Sequence, residues 1–271
     1  MALKALLVGI NRYPSMPLQG CINDAQALRD VLIQRWGARA EDLHLLTDDE
    51  ATAVAIRREL AWLGEAEPGE EPCARLLHFS GQGTWIADRD PSGHQEALVP
   101  FDHPASGFIP MTELWRLRDH LPPAAHLVIL RDCCFSPKIR LDLSQEGRFR
   151  YLPTSVEEQT RIEAARKEHK RSGEPSPART QPGRVVVLSA CAALEAATEI
   201  VSGPLTYGAV SHLLVQILLE GAHRPLTYQA VVDRLTRRLR VAALPQTPQL
   251  ECAEELRGEL FLGLPPAQQG P

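Results

Sequence analysis

The amino-acid sequence predicts an α/β fold with a doubly wound, mainly parallel sheet and helices on both of its faces. Four short apolar runs support this prediction, at residues 4–10, 75–80, 126–131 and 184–190. Each run is continuous rather than alternating, which is typical of parallel strands that are buried on both faces. Helical patterns stand between the runs, and this alternation of strand and helix indicates a parallel sheet.

The elements follow one another in a regular order. After the strand at 4–10 a helix is predicted over 23–37. Asn23 or Asp24 can cap this helix at its start, and Gly37 can end it. The other predicted elements are a strand at 42–46 and helices at 52–66, 111–120, 206–220 and 227–242.

The segment 137–183 interrupts this order. It is polar, rich in arginine and lysine, and ends in a run of proline, serine and glycine. A helix is compatible with residues 155–171, but no core-facing stripe is evident, so we interpret the segment as a long, mobile surface connection. The last residues have the composition of a disordered tail. The chain therefore divides into 1–136, 137–183, 184–264 and 265–271.

The composition excludes several classes of protein. The 271 residues carry a net charge of −5 and 44% apolar side chains, which is ordinary for a globular protein and provides no basic field for nucleic acid. No apolar run approaches the ~20 residues of a membrane span, and the first residues lack the features of a signal peptide. We therefore expect a cytoplasmic chain that binds neither nucleic acid nor membrane and keeps its six cysteines reduced.

Polar residues follow three of the predicted strands, at 9–14, 79–83 and 131–136. In open α/β sheets ligands bind at the carboxyl ends of the strands, so these segments are expected to converge. The second contains Ser-Gly-Gln-Gly, in which Gln82 stands between two glycines. The third contains Asp-Cys-Cys, whose cysteines are either reactive thiols near backbone N–H groups or small core residues.

Taken together, the motifs resemble those of the caspase-like cysteine peptidases of family C14, and within them the metacaspase and orthocaspase branch of bacteria, plants and protists. HFSGQG stands where the family has Ser-Gly-His-Gly, and DCCFS where it has Asp-Cys-Cys-His-Ser or Asp-Ser-Cys-His-Ser. The other matching motifs are ALLVGINRYP, LQGCINDAQALRDVL, LLTDDEAT, EALVPFD, VVLSACAALEAATE, GPLTYGAVSHLL and QTPQLE. The resemblance implies a caspase-like fold, with 1–136 as the large-subunit half and 184–264 as the small-subunit half.

The resemblance also implies a cysteine endopeptidase with Cys134 as its nucleophile. The backbone N–H groups of Cys134 and Gly83 correspond to the oxyanion hole. The implied pocket for the residue before the cut is lined by Cys21, Asp24, Ser80 and Asp132. Two carboxylates in one pocket suit a guanidinium or an ammonium, so the implied substrates are proteins or peptides with Arg or Lys before the cut. Asp24 thus has two candidate roles, as a wall residue of this pocket and as a cap of the helix predicted over 23–37.

Gln82 is the main departure from the family, because it occupies the position of the catalytic histidine. A neutral amide neither takes the thiol proton nor returns one to the leaving amine. General acid–base help is worth ~10²–10⁴ in rate, so this sequence is expected to be inactive or strongly impaired. Gln82 is either an engineered substitution or a natural one, and a natural one would make the chain a pseudopeptidase that binds basic peptides or a partner.

Other histidines are poor replacements for the missing base. His78 lies roughly 13 Å away along an extended strand, whereas His94 and His103 stand in or near a loop that would have to fold back. Arg131 and Phe135 are lesser departures, at positions where the family has an apolar residue and a histidine.

In this family the segment 137–183 corresponds to a site of processing, by the chain itself or by an upstream protease, as in a zymogen. The candidate positions are Arg161, Arg166, Lys167, Lys170, Arg171 and Arg179; the alternative is a solvated charged loop. No metal or cofactor is assigned. Some metacaspases need calcium, but the spacing of Asp88, Asp90 and Glu96 is not that of an EF-hand. A role in bacterial defence or programmed death follows from the family alone.

Overall fold

In the computed structural model the described residues are 2–65, 73–89, 91–121, 125–135, 149–172, 184–193, 195–220 and 226–263. The strands are β1 (Ala2–Gly9), β2 (Leu43–Thr47), β3 (Cys73–Ser80), β4 (Gly83–Ala87), β5 (His94–Leu98), β6 (Ile109–Pro110), β7 (His126–Asp132), β8 (Val185–Ser189), β9 (Glu199–Ser202), β10 (Leu205–Gly208) and β11 (Gln249–Glu251). The helices are α1 (Cys21–Trp36), α2 (Ala53–Gly64), α3 (His103–Ser106), α4 (Met111–Leu117), α5 (Val156–Ser172), α6 (Ala209–Glu220) and α7 (Tyr228–Val241). Short 3₁₀ turns span Ala40–Asp42, Asp48–Glu50, Arg118–His120, Glu254–Gly258 and Phe261–Gly263.

The central sheet has the strand order β11-β8-β7-β3-β1-β2. All neighbours in it are parallel except β11, which runs antiparallel to β8. Every residue of β3, β7 and β8 is buried, as expected of strands with a helix layer on each face. The predicted doubly wound, mainly parallel α/β fold is therefore confirmed.

Successive side chains of the central strands enter two separate cores. The alternation is clearest in β1, where Leu7 belongs to one core while Leu6 and Val8 belong to the other. The first core lies under α1, α6 and α7, and the second lies under α2 and α4. Each large aliphatic side chain that is removed from water in these cores contributes roughly 1.5–3 kcal/mol to folding.

Two smaller sheets lie beside the edge of the central sheet at which β1, β3 and β7 end. β4, β5 and β6 form an antiparallel sheet, and β9 and β10 form a hairpin. The helix α5 packs against β4, where the Glu158 carboxylate accepts a hydrogen bond from the backbone N–H of Ala87 at 2.5 Å. Its one deeply buried apolar residue is Ile162, which explains why the sequence shows no core-facing stripe.

The structure differs from the sequence prediction in several places, among them the start of the first helix at Cys21 rather than at residue 23. Residues 205–208 form a strand, so the helix predicted over 206–220 begins at Ala209. The helix predicted over 111–120 ends at Leu117 and continues as a 3₁₀ turn. Arg150 and Tyr151 are buried, so the interpretation of 137–183 as a surface connection does not describe these residues. The predicted tail at 265–271 lies outside the described residues.

Within the ranges described above, the structure contains no helix that is long and apolar enough to cross a membrane.

Candidate functional site

The carboxyl ends of β1, β3 and β7 meet at one edge of the sheet. Gly9 pairs with Ser80, and Ser80 pairs with Asp132 in register, so the last residues of neighbouring parallel strands lie side by side. The first turn of α1 covers this edge and brings Asp24 to within hydrogen-bond distance of Ser80, whose hydroxyl donates to the carboxylate at 2.8 Å. The three predicted polar segments therefore converge.

Three buried carboxylates surround this edge. Asp24 and Asp132 are expected here from the sequence, and the third is Glu199, the first residue of β9, whose side chain is 4% exposed. Each is held by backbone N–H groups. Gly208 donates to Asp24 at 2.9 Å and Ser211 donates to Asp132 at 3.0 Å. Such charge-assisted hydrogen bonds fix the carboxylates in place.

Glu199 connects this pocket to the start of α1. Its carboxylate accepts hydrogen bonds from the backbone N–H of Gln19 at 3.0 Å and of Gly20 at 2.6 Å. Gly20 is the N-cap residue of α1 and caps it without a side chain. The cap role considered for Asp24 is therefore not observed; its side chain faces the pocket instead.

The side chain of Arg150 fills the pocket and is completely buried. Its Nη2 donates to Asp24 at 2.8 Å and to Glu199 at 3.4 Å. Its Nη1 donates to the Ser80 hydroxyl at 2.6 Å and lies 3.3 Å from the Asp132 carboxylate. One guanidinium thus contacts all three carboxylates, which is the multidentate geometry for which arginine is suited.

The main chain of Arg150 is held as closely as its side chain. Its carbonyl oxygen accepts hydrogen bonds from the backbone N–H of Gly83 at 3.2 Å and of Cys134 at 3.0 Å. By the family resemblance these two N–H groups correspond to the oxyanion hole. The carbonyl of Arg150 lies where that resemblance would place the carbonyl of a bound polypeptide during acyl transfer.

The residues around Arg150 are extended along the edge. Phe149 bridges to Thr198 in antiparallel fashion, and the backbone N–H of Arg150 donates to the carbonyl of Ala197 at 3.2 Å. On the other side of Arg150, the backbone N–H of Leu152 donates to the Gly83 carbonyl at 2.9 Å. Residues 149–152 thus cross the site as an added strand, a mode in which main-chain bonds supply affinity and a pocket supplies specificity.

Burial dominates the electrostatics of the pocket. It raises the pKa of Asp24 to about 7, against the opposing effect of the Arg150 guanidinium. Burial alone would lower the pKa of Arg150, but Asp132, Asp24 and Glu199 raise it well above its usual value. Burial also raises the pKa of the Cys21 thiol, which lies in the pocket wall. The guanidinium is therefore held in its charged form, as the neighbouring carboxylates require.

Gln82 is completely buried beside this pocket. Its Nε2 donates to the carbonyl of Met16 at 2.8 Å, and its Oε1 has no hydrogen-bond partner among the described residues. Its backbone N–H donates to the Tyr13 hydroxyl at 3.0 Å. The side chain therefore fastens the loop after β1 to the strand ends, a structural contact that an amide can make.

Close packing explains the glycines on either side of Gln82. A Cβ atom on Gly81 would lie 2.5 Å from the Tyr13 hydroxyl, and one on Gly83 would lie 2.5 Å from the carbonyl oxygen of Cys134. Neither glycine has a positive φ. These positions need glycine because neighbouring atoms approach closely, and the turn itself would accept other residues.

Cys134 is 1% exposed and lines a cavity of about 240 Å³ together with Cys133 and Cys191. The pKa of the Cys191 thiol is raised. The main cause is a hydrogen bond with Cys134, and the second is burial. Arg131 closes one side of the cavity, where its guanidinium donates to Glu96 at 2.6 Å and lies over the Phe135 ring at 4.9 Å. The buried Arg131 thus joins β7 to the sheet of β4–β6.

The candidate replacement histidines are engaged elsewhere. The ring of His78 is buried and lies 3.3 Å from the Ser211 hydroxyl, and burial lowers its pKa to about 4. His94 stacks on Trp85 at 3.7 Å. The Nδ1 of His103 lies 3.2 Å from the carbonyl oxygen of Pro100.

Five of the six processing candidates lie on α5, and Arg179 lies outside the described residues. Asp90 of the suggested calcium group is also outside them. Over the residues that are described, no group of three or more His, Cys, Asp or Glu side chains is arranged to hold a metal ion.

Two residues of the pocket are missing from the sequence-based set. Glu199 stands in a motif that matches the family, but no pattern along the chain places it against the start of α1. Arg150 stands in "RFRYLP", next to a polar segment that offers many other arginines. The signal in its case is the tyrosine, leucine and proline that follow, an apolar interruption of a charged segment.

Comparisons with known proteins concern the family and the fold of the chain. The family model of the caspase domain matches residues 2–258. Metacaspase-1 of Eremothecium gossypii is 37% identical over 145 residues, which are 49% of this chain and 31% of that protein. Metacaspase-1 of Schizosaccharomyces pombe is 35% identical over 145 residues, 49% of this chain and 33% of that protein. The chain thus spans about a third of the length of these curated relatives.

A crystal structure of a protein from Geobacter sulfurreducens has the same fold. It superposes with a TM-score of 0.69, covers 96% of this chain and 98% of its own, and is 19% identical in sequence. At this identity the likeness concerns the fold alone.

Proposed function

Because the chain belongs to the caspase domain family of cysteine peptidases, we propose that its cleft binds polypeptides with Arg or Lys before the scissile bond and that Cys134 is the nucleophile. The docking of Arg150 is the observation that carries this proposal. A guanidinium is bound by three carboxylates while the carbonyl of the same residue accepts from the Gly83 and Cys134 N–H groups. An aspartate side chain in this pocket would face three like charges.

The proposed reaction is the hydrolysis of a peptide bond through a thioester. The Cys134 sulfur attacks the carbonyl carbon, the bond from that carbon to nitrogen breaks, and the leaving amine takes up a proton. Water then cleaves the thioester, which releases a carboxylate and restores the thiol. The N–H groups of Gly83 and Cys134 donate to the oxygen as it gains charge, and such a donor is worth roughly 10²–10³ in rate.

Gln82 limits this reaction because it cannot carry the proton from the thiol to the leaving amine. We therefore expect the unchanged chain to be inactive or strongly impaired. Gln82→His is expected to raise the hydrolysis of fluorogenic peptides that end in Arg or Lys by at least about 10²-fold. Peptides that end in Asp serve as the specificity control, and Gln82→His with Cys134→Ala serves as the nucleophile control. Equal cleavage of the Asp peptides, or activity without Cys134, would contradict the proposal.

A second candidate function is that of a pseudopeptidase that binds basic polypeptides without cutting them. The buried contact of Gln82 with the Met16 carbonyl favours it, because the residue serves the fold where a base is absent. The pocket and both N–H donors are nevertheless complete. If Gln82→His restores no cleavage but the cleft still binds an arginine peptide, this second function is the correct one.

Regulation by cutting within 137–183, by the chain or by an upstream protease, is part of the same proposal. Its candidates on α5 are exposed but helical, and a helix must open locally before a protease can bind it as an extended strand. This favours cleavage outside α5.

A further inference from the structure

We infer that Cys134 and Cys191 form a dithiol centre that hydroperoxides convert to a disulfide, and that the cavity beside Cys134 is the route by which the oxidant enters. All six cysteines are free thiols in this structure. The inference goes beyond the proposed function and holds for both candidate functions, because it involves neither the pocket of Arg150 nor a base at position 82.

The two thiols stand just after neighbouring strands of the sheet. Arg131 of β7 pairs with Ser189 of β8, and the Ala190 N–H continues the ladder by donating to the Arg131 carbonyl at 2.9 Å. Parallel strands lie about 5 Å apart, and disulfides join residues whose Cα atoms are roughly 4.4–6.8 Å apart. The Cys191 sulfur lies 4.0 Å from the Cys133 carbonyl oxygen, so the chains also stay close beyond the strand ends. A disulfide at this position therefore requires little movement of the main chain.

The direction of the side chains selects the partner of Cys191. Cys134 and Cys191 belong to the core under α1, α6 and α7, whereas Cys133 belongs to the core under α2 and α4. The thiols of Cys134 and Cys191 are also joined by a hydrogen bond. Cys134, and not the adjacent Cys133, is therefore placed to pair with Cys191.

The cavity connects these thiols to solvent. Its volume is about 240 Å³, and a water-sized molecule needs only about 10–15 Å³ of such space, so a small hydroperoxide fits. Glu96 and Glu251 belong to its wall and are 38% and 48% exposed, so the cavity reaches the surface. The described residues that line it include none of 149–152. An oxidant therefore reaches the thiols while Arg150 stays in its pocket.

Cys191 is the resolving thiol of the pair. The hydrogen bond with Cys134, followed by burial, raises the pKa of the Cys191 thiol, so Cys191 keeps its proton. The thiolate is the form of cysteine that attacks an oxidant, and a resolving cysteine beside it is typical of redox-sensing sites. Oxidation therefore begins at Cys134.

The proposed reaction has two steps. The Cys134 sulfur attacks one oxygen of the hydroperoxide, the O–O bond breaks, and the other oxygen leaves with the thiol proton, as an alcohol or as water, which yields a sulfenic acid. The Cys191 sulfur then attacks the Cys134 sulfur, the S–O bond breaks, and the oxygen leaves as water with the Cys191 proton. Each sulfur loses one electron, and the hydroperoxide gains both. Gln82 takes part in neither step, so the unchanged chain can carry out both.

The first test detects the disulfide directly. The unchanged chain is treated with hydrogen peroxide, its remaining thiols are blocked with N-ethylmaleimide in denaturant, and its tryptic peptides are analysed by mass spectrometry without reduction. We expect the peptides of Cys134 and Cys191 to be linked, at a rate that is independent of protein concentration, and to separate in dithiothreitol. Cys133→Ala should form the same link, as should the matched control Cys252→Ala, whose thiol is not among the residues of the cavity wall. A link that persists in Cys134→Ala, or that is lost in Cys133→Ala, would overturn the inference.

The second readout is the fate of Cys134 when its partner is removed. In Cys191→Ala the sulfenic acid has no resolving thiol, so further peroxide should convert it to the sulfinic acid, which dithiothreitol does not reduce. The unchanged chain under the same conditions should recover its Cys134 thiol in dithiothreitol. A thermal melt of reduced Cys191→Ala shows that the variant is folded. Equal irreversible oxidation of Cys134 in both proteins would overturn the pairing.

The route is tested by narrowing the cavity. Ala192→Phe adds a ring to the cavity wall and should slow formation of the link several-fold at the same peroxide concentration. Ala105→Phe, at an exposed alanine of α3, is the matched control and should keep the original rate. Equal rates for these two variants would show that the oxidant enters elsewhere. None of these measurements involves peptide hydrolysis, so failure of this inference leaves the proposed function standing, and the reverse also holds.

Discussion

At the scale of single residues, Glu199 shows how the pocket gains its charge. Three carboxylates face one guanidinium, so the pocket without Arg150 carries excess negative charge that a basic side chain would neutralise. A buried charge that loses its partner is typically destabilising by about 3–5 kcal/mol. The same arrangement that selects a cationic side chain therefore also makes the empty cleft costly to the fold.

Gly83 offers a test of close packing at this site. Gly83→Ala would place a Cβ 2.5 Å from the Cys134 carbonyl oxygen and 2.7 Å from the Phe135 ring. Since one of these neighbours is backbone, we expect a loss of about 2 kcal/mol or more in the free energy of unfolding, measured in urea. Gly258→Ala is the matched control, because nothing lies within 4 Å of its Cβ, and it should change stability by less than about 0.5 kcal/mol. Similar values for both variants would contradict this packing argument.

The sequence indicates which residues lie together at this edge of the sheet where a short motif contains them. Ser80, Asp132, Gly83 and Cys134 come from two strand ends, and parallel strands bring such ends together. Their catalytic and binding roles remain predictions. Arg150 and Glu199 could not be predicted in this way, because each contacts residues that are far away along the chain. The apolar residues after Arg150 distinguish it from the other arginines of its segment, but they do not indicate what it binds.

At the scale of elements, α5 is attached to the rest of the molecule by few contacts. Ile162 is 7% exposed and is the helix's buried apolar anchor, whereas Val156 at the start of the helix is 74% exposed. The sequence is compatible with a helix at 155–171 without a core face, and the structure places it at Val156–Ser172 against β4 and β5. Its location depends on one aliphatic side chain and a few polar contacts, which a periodicity argument does not detect.

Limited proteolysis with trypsin can test this attachment. Ile162→Ala removes most of the buried anchor, so we expect α5 to open more often and to be cut several-fold faster at Arg166 and Lys167, as followed by mass spectrometry. Val156→Ala, which trims an exposed residue, should leave the rate unchanged. Arg150 should stay uncut in all three proteins while it is buried. Equal rates for the two variants would mean that Ile162 does not hold the helix.

The type of an element is predictable where the sequence contains a continuous apolar run. The prediction fails where a tertiary contact determines the secondary structure. The four apolar runs all form strands of the central sheet. Residues 206–208 fall within the helix predicted over 206–220 but belong to β10, because the Gly208 N–H donates to Asp24 and Leu205–Gly208 pairs with β9. Propensity is a weak guide where a buried carboxylate requires a backbone donor.

At the scale of the whole molecule, buried histidines couple stability to pH. Burial, with Arg184 acting in the same direction and Glu259 opposing it, lowers the pKa of His126 to about 4. The ring of His126 shares hydrogen bonds with Tyr228 at 3.0 Å and Arg184 at 3.3 Å. Between its unfolded and folded pKa values the unfolded chain binds the proton and the folded chain does not, so stability falls as pH is lowered from about 6.5 to about 4.

This coupling predicts a difference between variants. Because of the lowered pKa of His126, the free energy of unfolding is expected to be about 3 kcal/mol smaller at pH 4 than at pH 7. His126→Gln should lower stability at pH 7, because the packing around the ring is disturbed. Between pH 7 and pH 4, however, this variant should lose about 3 kcal/mol less unfolding free energy than the unchanged chain. His120→Gln, which replaces an exposed histidine, should keep the full loss. Urea unfolding at several pH values measures both slopes, and parallel slopes for His126→Gln and the unchanged chain would contradict the assignment.

The pairing of β7 with β8 has a consequence for the covalent state of the chain. These strands lie on either side of the long segment that carries α5, yet they are neighbours in the sheet, and Glu199 reaches back to the first turn of α1. Any scission between them would therefore yield two polypeptides that still share one sheet and the two hydrophobic cores on its faces. Covalent continuity and physical cohesion are therefore separate properties in this molecule, and a nicked form would stay together under native conditions while gaining two new chain ends.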